Sequence, residues 1–424
     1  MAGDDRRDAW TVRHKPEWVR GMNAAGALID YQSVAPLDEQ SLLDQAQRNT
    51  GLDDFGEDGW REHFRALLDA IHKEAKLHFV GRILTRSDLI TYLEVRLNVT
   101  DAYKKHPEIE QEVIKEPVFI LGFGRSGTTI LHETLSQDSQ FRSVRRWEAL
   151  FPWPAPEEAT YETDPRIKKA QDRVDFVHAI SPEFMATHAW GGNLPLEDIE
   201  FTYPAFFSEV WPLGFQVPSF GRYFNERSPD DHFRWHKRFL KLLQWKYRKP
   251  HWLLKNPTHM HRIGSLLKHY PDAKIIFPHR DPVTTADSVV NIQGIIYSWR
   301  TDDVYGEFRS SEESFTLASR VKLWDDVIDL IESGSLRPNF FANIQYAEFI
   351  RDPMTAIGKV YRDLGLTMSP EARAKMTTFL DERNKGSHGN KASYEKSKAD
   401  DPRTLEERRA FKRYQEYFNV PNEA

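Results

Sequence analysis

The chain has no cysteine among its 424 residues. Disulfides, zinc–thiolate centres and a cysteine nucleophile are therefore excluded, and a reducing compartment suits it. No apolar run approaches the roughly 18 residues that a membrane span needs. The first residues, Met1 to Arg7, carry no apolar signal core. The expectation is a cytoplasmic protein without a membrane span. Basic charge is not in excess either. The formal net charge is −6, which argues against a nucleic-acid partner.

What is plentiful is aromatic: 12 tryptophans and 26 phenylalanines. Such side chains build cores and line apolar pockets. Residues 1–35 read as a polar arm. From Leu37 to His106 apolar residues such as Leu42, Leu43, Phe64, Leu67, Leu68 and Ile71 recur at helical spacing. The chain divides into an N-terminal arm and helical region (1–110), an α/β domain (115–390) and a charged tail with a helix (391–424). Inside the α/β domain, residues 141–250 hold Trp147, Phe151, Trp153, Trp190, Phe206, Phe207 and Trp211. They read as a helical, aromatic-rich substrate-binding insertion, which suggests an apolar acceptor molecule.

Four strand-to-helix junctions share one grammar. The first runs from the apolar Val118-Phe119-Ile120-Leu121 into Gly122-Phe123-Gly124-Arg125-Ser126-Gly127-Thr128-Thr129. A glycine-rich turn between strand and helix presents backbone N–H groups and a helix N-terminus to an anion. Its glycine spacing is that of a nucleotidase P-loop, but Thr128 stands where that motif has lysine. The other junctions are Trp252–Lys255 into Asn256-Pro257, Ala273–Phe277 into Asp281-Pro282, and Phe340–Ile344 into Asp352-Pro353. Asn or Asp at the N-cap followed by Pro starts a helix. Strands alternating with helices predict a parallel sheet, with ligands beyond the carboxyl ends of its strands.

Candidate chemistry collects at those ends. Arg125 offers a fixed charge and a two-pronged donor, and Thr128 and Thr129 offer hydroxyls. Lys255 would neutralise a phosphate or a leaving oxygen. Arg280 and Ser288 flank the third junction and would grip a second phosphate. His259 suits a general base, kept neutral by a helix N-terminus. The run Pro195-Leu196-Glu197-Asp198-Ile199-Glu200 offers a second base; read blandly, it is a solvated acidic turn. Glu197 or Asp198, if buried beside Trp190 and Phe201, would have a raised pKa.

Together these segments resemble the sulfotransferases that use 3′-phosphoadenosine 5′-phosphosulfate (PAPS). The loop Gly124-Arg125-Ser126-Gly127-Thr128-Thr129 resembles that family's 5′-phosphate loop. Arg280, Asp281, Pro282 and Ser288 resemble its 3′-phosphate motif, and Leu254-Lys255-Asn256-Pro257-Thr258-His259 a bacterial catalytic segment. Tyr346 resembles the tyrosine beside the adenine, and Lys385-Gly386 the loop closing over the 3′-phosphate. The resemblance implies an α/β fold with a P-loop-like parallel sheet flanked by helices. It implies sulfuryl transfer from PAPS to a small-molecule hydroxyl, with no metal. In cytosolic members the histidine lies two residues after the lysine; here it lies four after, and other branches use a glutamate. The base is therefore open between His259 and Glu197. The oligomeric state is open too. A P-loop kinase or nucleotidase, and a non-catalytic nucleotide-binding protein of the same fold, are the competing readings.

Overall fold

A computed structural model describes residues 10, 14–57, 59–187, 189–306, 316–385 and 398–423. Five parallel strands make one sheet: β1 (Val118–Ile120), β2 (Phe141–Arg142), β3 (His251–Lys255), β4 (Lys274–His279) and β5 (Phe341–Gln345). Their order is β2-β3-β1-β4-β5. The four strands anticipated at the junctions are β1, β3, β4 and β5. The two-residue β2 is too short to carry a pattern.

β1 is apolar throughout because helices cover both faces of the sheet. Side chains alternate between those faces. Phe119, Leu254, Ile275 and Phe277 enter one core cluster with Phe233, Phe239 and Trp324. Val118, Ile120, Leu253 and Ile276 enter another with Leu131, Ile357 and Val360. The register sets Ile120 opposite Lys255 on one side and Ile276 on the other. The exits of β3 and β1 are thereby level, and β4 runs on to His279 along the same rim. His132, in the helix that follows the glycine loop, lies 3.1 Å from Ser143 Oγ and 3.3 Å from the Leu253 carbonyl. That helix is thus tied down beside β3.

The aromatic insertion is mainly core. Trp147, Phe201, Phe206, Phe207 and Trp211 are each no more than 1% exposed. The insertion's helix Asp230–Gln244 packs on the sheet, where Phe233 and Phe239 join the cluster of Phe119 and Leu254. Phe206, Trp211 and Phe220 instead share a cluster with Phe64, Leu67 and Leu93 of the N-terminal helices. Most of the aromatic content is consumed by this packing and is not available to line a pocket.

The polar arm is also partly structured. Glu17–Gly26 is a helix whose Val19 is fully buried. A Cβ on Gly26 would lie 2.5 Å from Phe79, so glycine permits the close approach. The charged tail forms two helices, Pro402–Ala410 and Lys412–Phe418. Phe411, Tyr414 and Phe418 join the same core cluster as Phe119 and Phe277. Among the described residues, no helix is long and apolar enough to cross a membrane.

Candidate active site at the strand exits

The glycine loop leaves β1 and turns tightly. Arg125 has φ +71° and Gly127 φ +90°. A side chain at Gly127 would be strained by that angle, and its Cβ would stand 2.6 Å from the Tyr346 ring. Glycine is therefore what lets the loop lie against Tyr346. The helix Thr128–Leu135 starts at once, and its first N–H groups have no intrahelical acceptor. Ser126 donates to the Phe123 carbonyl through its hydroxyl at 2.7 Å and through its N–H at 3.2 Å, which pins the turn.

Lys255 ends β3 and is only 2% exposed. Its ammonium donates to a Glu197 carboxylate oxygen and lies 3.4 Å from Thr129 Oγ1. Glu197, Lys255 and the loop thus meet in space. The acidic run is not a solvated turn: each of its three carboxylates has a partner of its own. Glu197 pairs with Lys255. Asp198 faces His259 at 3.1 Å and His236 at 3.5 Å. Glu200 takes both terminal nitrogens of Arg146, whose guanidinium lies 3.9 Å over Trp190. Leu196 donates its N–H to the Val144 carbonyl at 3.0 Å, fixing the run against the segment after β2.

Asp198 behaves opposite to expectation. Burial pushes its carboxyl up, but the His259 and His236 imidazoles outweigh burial and hold it well below the usual carboxylate range. His259 is 2% exposed and packs among Phe119, His232, Phe233 and His236. The turn carrying it, Pro257–Arg262, is 3-10 helix rather than α-helix, with Asn256 accepting from the Thr258 N–H. His236 in turn contacts the Tyr270 hydroxyl at 2.7 Å. Asp198, His236 and His259 offer ligand atoms within 4.8 Å of one another. A divalent ion would find three donors there, one short of a closed tetrahedral zinc site. The carboxylate is already shared between two imidazoles.

On the other side of the loop, Arg125 donates through Nε to Ser288 Oγ at 2.8 Å and through Nη1 to the Thr187 carbonyl at 3.0 Å. Arg280 follows β4. Its Nη1 donates to the Arg125 carbonyl at 2.9 Å, and its guanidinium lies 4.1 Å over Tyr346. Arg125, Arg280, Ser288 and Tyr346 are therefore one group beside the glycine turn. Asp281 caps the helix Pro282–Ser298 by accepting from Val283 N–H at 2.9 Å. Lys385 is exposed at the end of the helix Pro370–Lys385. Two residues earlier, Arg383 bridges to Glu133 on the loop's own helix. Gly386 lies outside the described residues.

A family model described as "Sulfotransferase family" matches residues 117–370, which span all four strand-to-helix junctions and stop short of Lys385. The chain belongs to the sulfotransferase family. Omega-hydroxy-beta-dihydromenaquinone-9 sulfotransferase Stf3, from Mycobacterium bovis and Mycobacterium tuberculosis, is 26% identical over 273 residues. That match covers 61% of this chain and 64% of the length of those relatives. Sulfotransferase STF1 from Mycobacterium tuberculosis H37Rv is 27% identical with a TM-score of 0.67, over 81% of this chain and 94% of that one. Sulfotransferase STF9 from Mycobacterium avium shares the fold, with a TM-score of 0.75 at 24% identity over 91% and 98%.

Several residues of this sulfotransferase rim had no signal in their own neighbourhoods. Arg146, the partner of Glu200, sits in an unremarkable basic pair. His232 and His236 lie one turn apart on Asp230–Gln244, and that spacing was the available clue to a buried histidine cluster. Glu423, which meets Arg280, is an ordinary acidic residue in the sequence.

Proposed function

We propose that this protein transfers a sulfuryl group from PAPS to the hydroxyl of a small molecule with an apolar body. The observation that carries the reading is the Glu197–Lys255 pair, set at the exit of β3 against Thr129 of the glycine loop. When bound, the nucleotide supplies the sulfuryl group on a phosphate leaving group. Loop amides, Thr128, Thr129 and Lys255 would hold the 5′-phosphate and answer the charge that builds as the sulfur–oxygen bond breaks. Arg280, Arg125 and Ser288 would hold the 3′-phosphate, with Tyr346 beside the adenine and Lys385-Gly386 over the phosphate.

Glu197 is the better placed base. It shares its cation with the loop, whereas His259 is spent on Asp198 in the core. An acceptor hydroxyl entering beside Lys255 would give its proton to Glu197 as its oxygen attacks sulfur. His259 and Asp198 would instead secure the turn that presents Glu197. An apolar acceptor is supported by Met185 and Leu194, both exposed. Met185 precedes Thr187, which receives Arg125, and Leu194 leads into Glu197. The curated relatives are named for a hydroxylated menaquinone.

Calorimetric titration tests the nucleotide half of this reading. The protein should bind adenosine 3′,5′-bisphosphate in preference to ATP and to adenosine 5′-monophosphate. Arg280→Ala should weaken the bisphosphate by about 10- to 100-fold, the worth of a charge-assisted hydrogen-bonded pair, and hardly change the monophosphate. Preference for ATP, or equal loss for both adenosine ligands, would refute it.

A further inference from the structure

Arg280 is engaged by the protein's own anion. Its Nε lies 2.9 Å and 3.1 Å from the two carboxylate oxygens of Glu423, and its Nη2 lies 2.9 Å from one of them. This is the forked geometry by which a guanidinium also grips a phosphate. The same Arg280 keeps its remaining nitrogen on the Arg125 carbonyl and its face on Tyr346. The carboxylate therefore meets Arg280 on an edge that a 3′-phosphate would use.

A built turn delivers it. The helix Lys412–Phe418 ends at Asn419, whose left-handed φ of +55° reverses the chain. Gln415 holds the returning segment through the Val420 carbonyl at 3.2 Å and Asn422 Oδ1 at 2.9 Å. Gln345, the last residue of β5, donates to the Phe418 carbonyl at 2.6 Å, and the Phe418 ring stacks on His279 at 4.2 Å. The Glu423 N–H then donates to Asp281 Oδ2 at 2.7 Å. Asp281 is itself clamped by Arg408 at 2.6 and 2.7 Å. Backbone and side chain of Glu423 are thus both placed, one on Asp281 and the other on its neighbour Arg280.

We propose that Glu423 is a built-in competitor for the 3′-phosphate of the nucleotide: the donor must displace this carboxylate from Arg280 in order to bind. The proposal rests on the reading of Arg280 given above. Both partners of the ion pair are partly exposed, with side-chain exposures of 22% and 29%. The penalty is accordingly modest, and the carboxylate is exchangeable rather than a permanent block. Its consequence is selective. A nucleotide without a 3′-phosphate has no quarrel with Glu423, whereas a 3′-phosphorylated one does.

The experiment is calorimetric titration of adenosine 3′,5′-bisphosphate and adenosine 5′-monophosphate into the wild type, Glu423→Gln, Glu423→Ala and Arg280→Ala. Thermal melting of each variant confirms that the fold is kept. Both Glu423 variants should bind the bisphosphate about 2- to 5-fold more tightly, with the monophosphate unchanged. Unchanged or weaker bisphosphate binding in both would overturn the proposal, weaker binding meaning that Glu423 orients Arg280 for the ligand. Loss of bisphosphate affinity in Arg280→Ala with no gain in the Glu423 variants removes only the role of Glu423. Wild-type affinity in Arg280→Ala removes the reading of Arg280, and this proposal with it.

Discussion

Glu197→Gln should lower kcat by about 10²- to 10⁴-fold, the usual worth of a general base, without weakening the binding of adenosine 3′,5′-bisphosphate. The substitution keeps the shape of the side chain and removes its ability to take a proton. Its surroundings are held independently: Asp198 on His259 and His236, Glu200 on Arg146, and Leu196 on the Val144 carbonyl. The turn should therefore stay in place. Losing a negative charge beside Lys255 frees that ammonium for an anionic ligand, so nucleotide affinity has no reason to fall. Steady-state kinetics with saturating donor, read beside calorimetry, separates the two quantities. A kcat within about threefold of wild type would remove Glu197 from the chemistry.

Lys255→Ala should cost about 10²- to 10³-fold in kcat, the range found when one preorganised donor to a developing charge is removed. It should also weaken the nucleotide, because a charge-assisted hydrogen bond is lost from a nearly dry position. Lys255 is buried at the end of β3, with its ammonium held by Glu197 and lying near Thr129. The substitution also leaves Glu197 without its cation. The double variant Lys255→Ala with Glu197→Gln should therefore be far less than multiplicative, since the two side chains act as one unit. Arginine should not restore activity, because a planar fork does not fill the place of a point charge. Single-turnover rates and donor affinities measured on the two single variants, the double variant and Lys255→Arg check this. Multiplicative losses would show that the pair is not a functional unit.

Much of the rim was legible in the sequence because its determinants are local. Apolar runs leading to Asn256-Pro257 and Asp281-Pro282 announce the exits of β3 and β4 and the helices that follow, whereas β5 ends at Gln345 and a short helix, Tyr346–Arg351, precedes Asp352-Pro353. The glycine spacing announced the turn after β1. What was not legible depends on distance in the chain. Glu197 finds Lys255 across 58 residues, and Arg280 finds Glu423 across 143. No local pattern encodes either meeting. The acidic run looked solvated because its three partners, Lys255, the Asp198 histidines and Arg146, lie on other elements. Asp198 was expected to have a raised pKa from burial alone; the two imidazoles reverse the sign. The insertion's aromatic residues offered both core and pocket in the sequence, and their burial against the sheet and the N-terminal helices makes them mainly core. The arm around Val19 reads as polar because what buries it lies far along the chain, on the helix that begins at Phe79.

If this rim moves a sulfuryl group from a 3′-phosphorylated nucleotide, the charges of Lys255, Arg125 and Arg280 should suffice without a divalent cation. Product mass spectrometry reads this out. The protein is incubated with PAPS and a panel of apolar alcohols and phenols in excess EDTA, beside parallel reactions with ATP and Mg²⁺. A sulfated product formed with PAPS in EDTA, and no phosphorylated product with ATP, is the predicted result. Phosphorylated product with ATP, or sulfation that appears only when a divalent cation is restored, would contradict it.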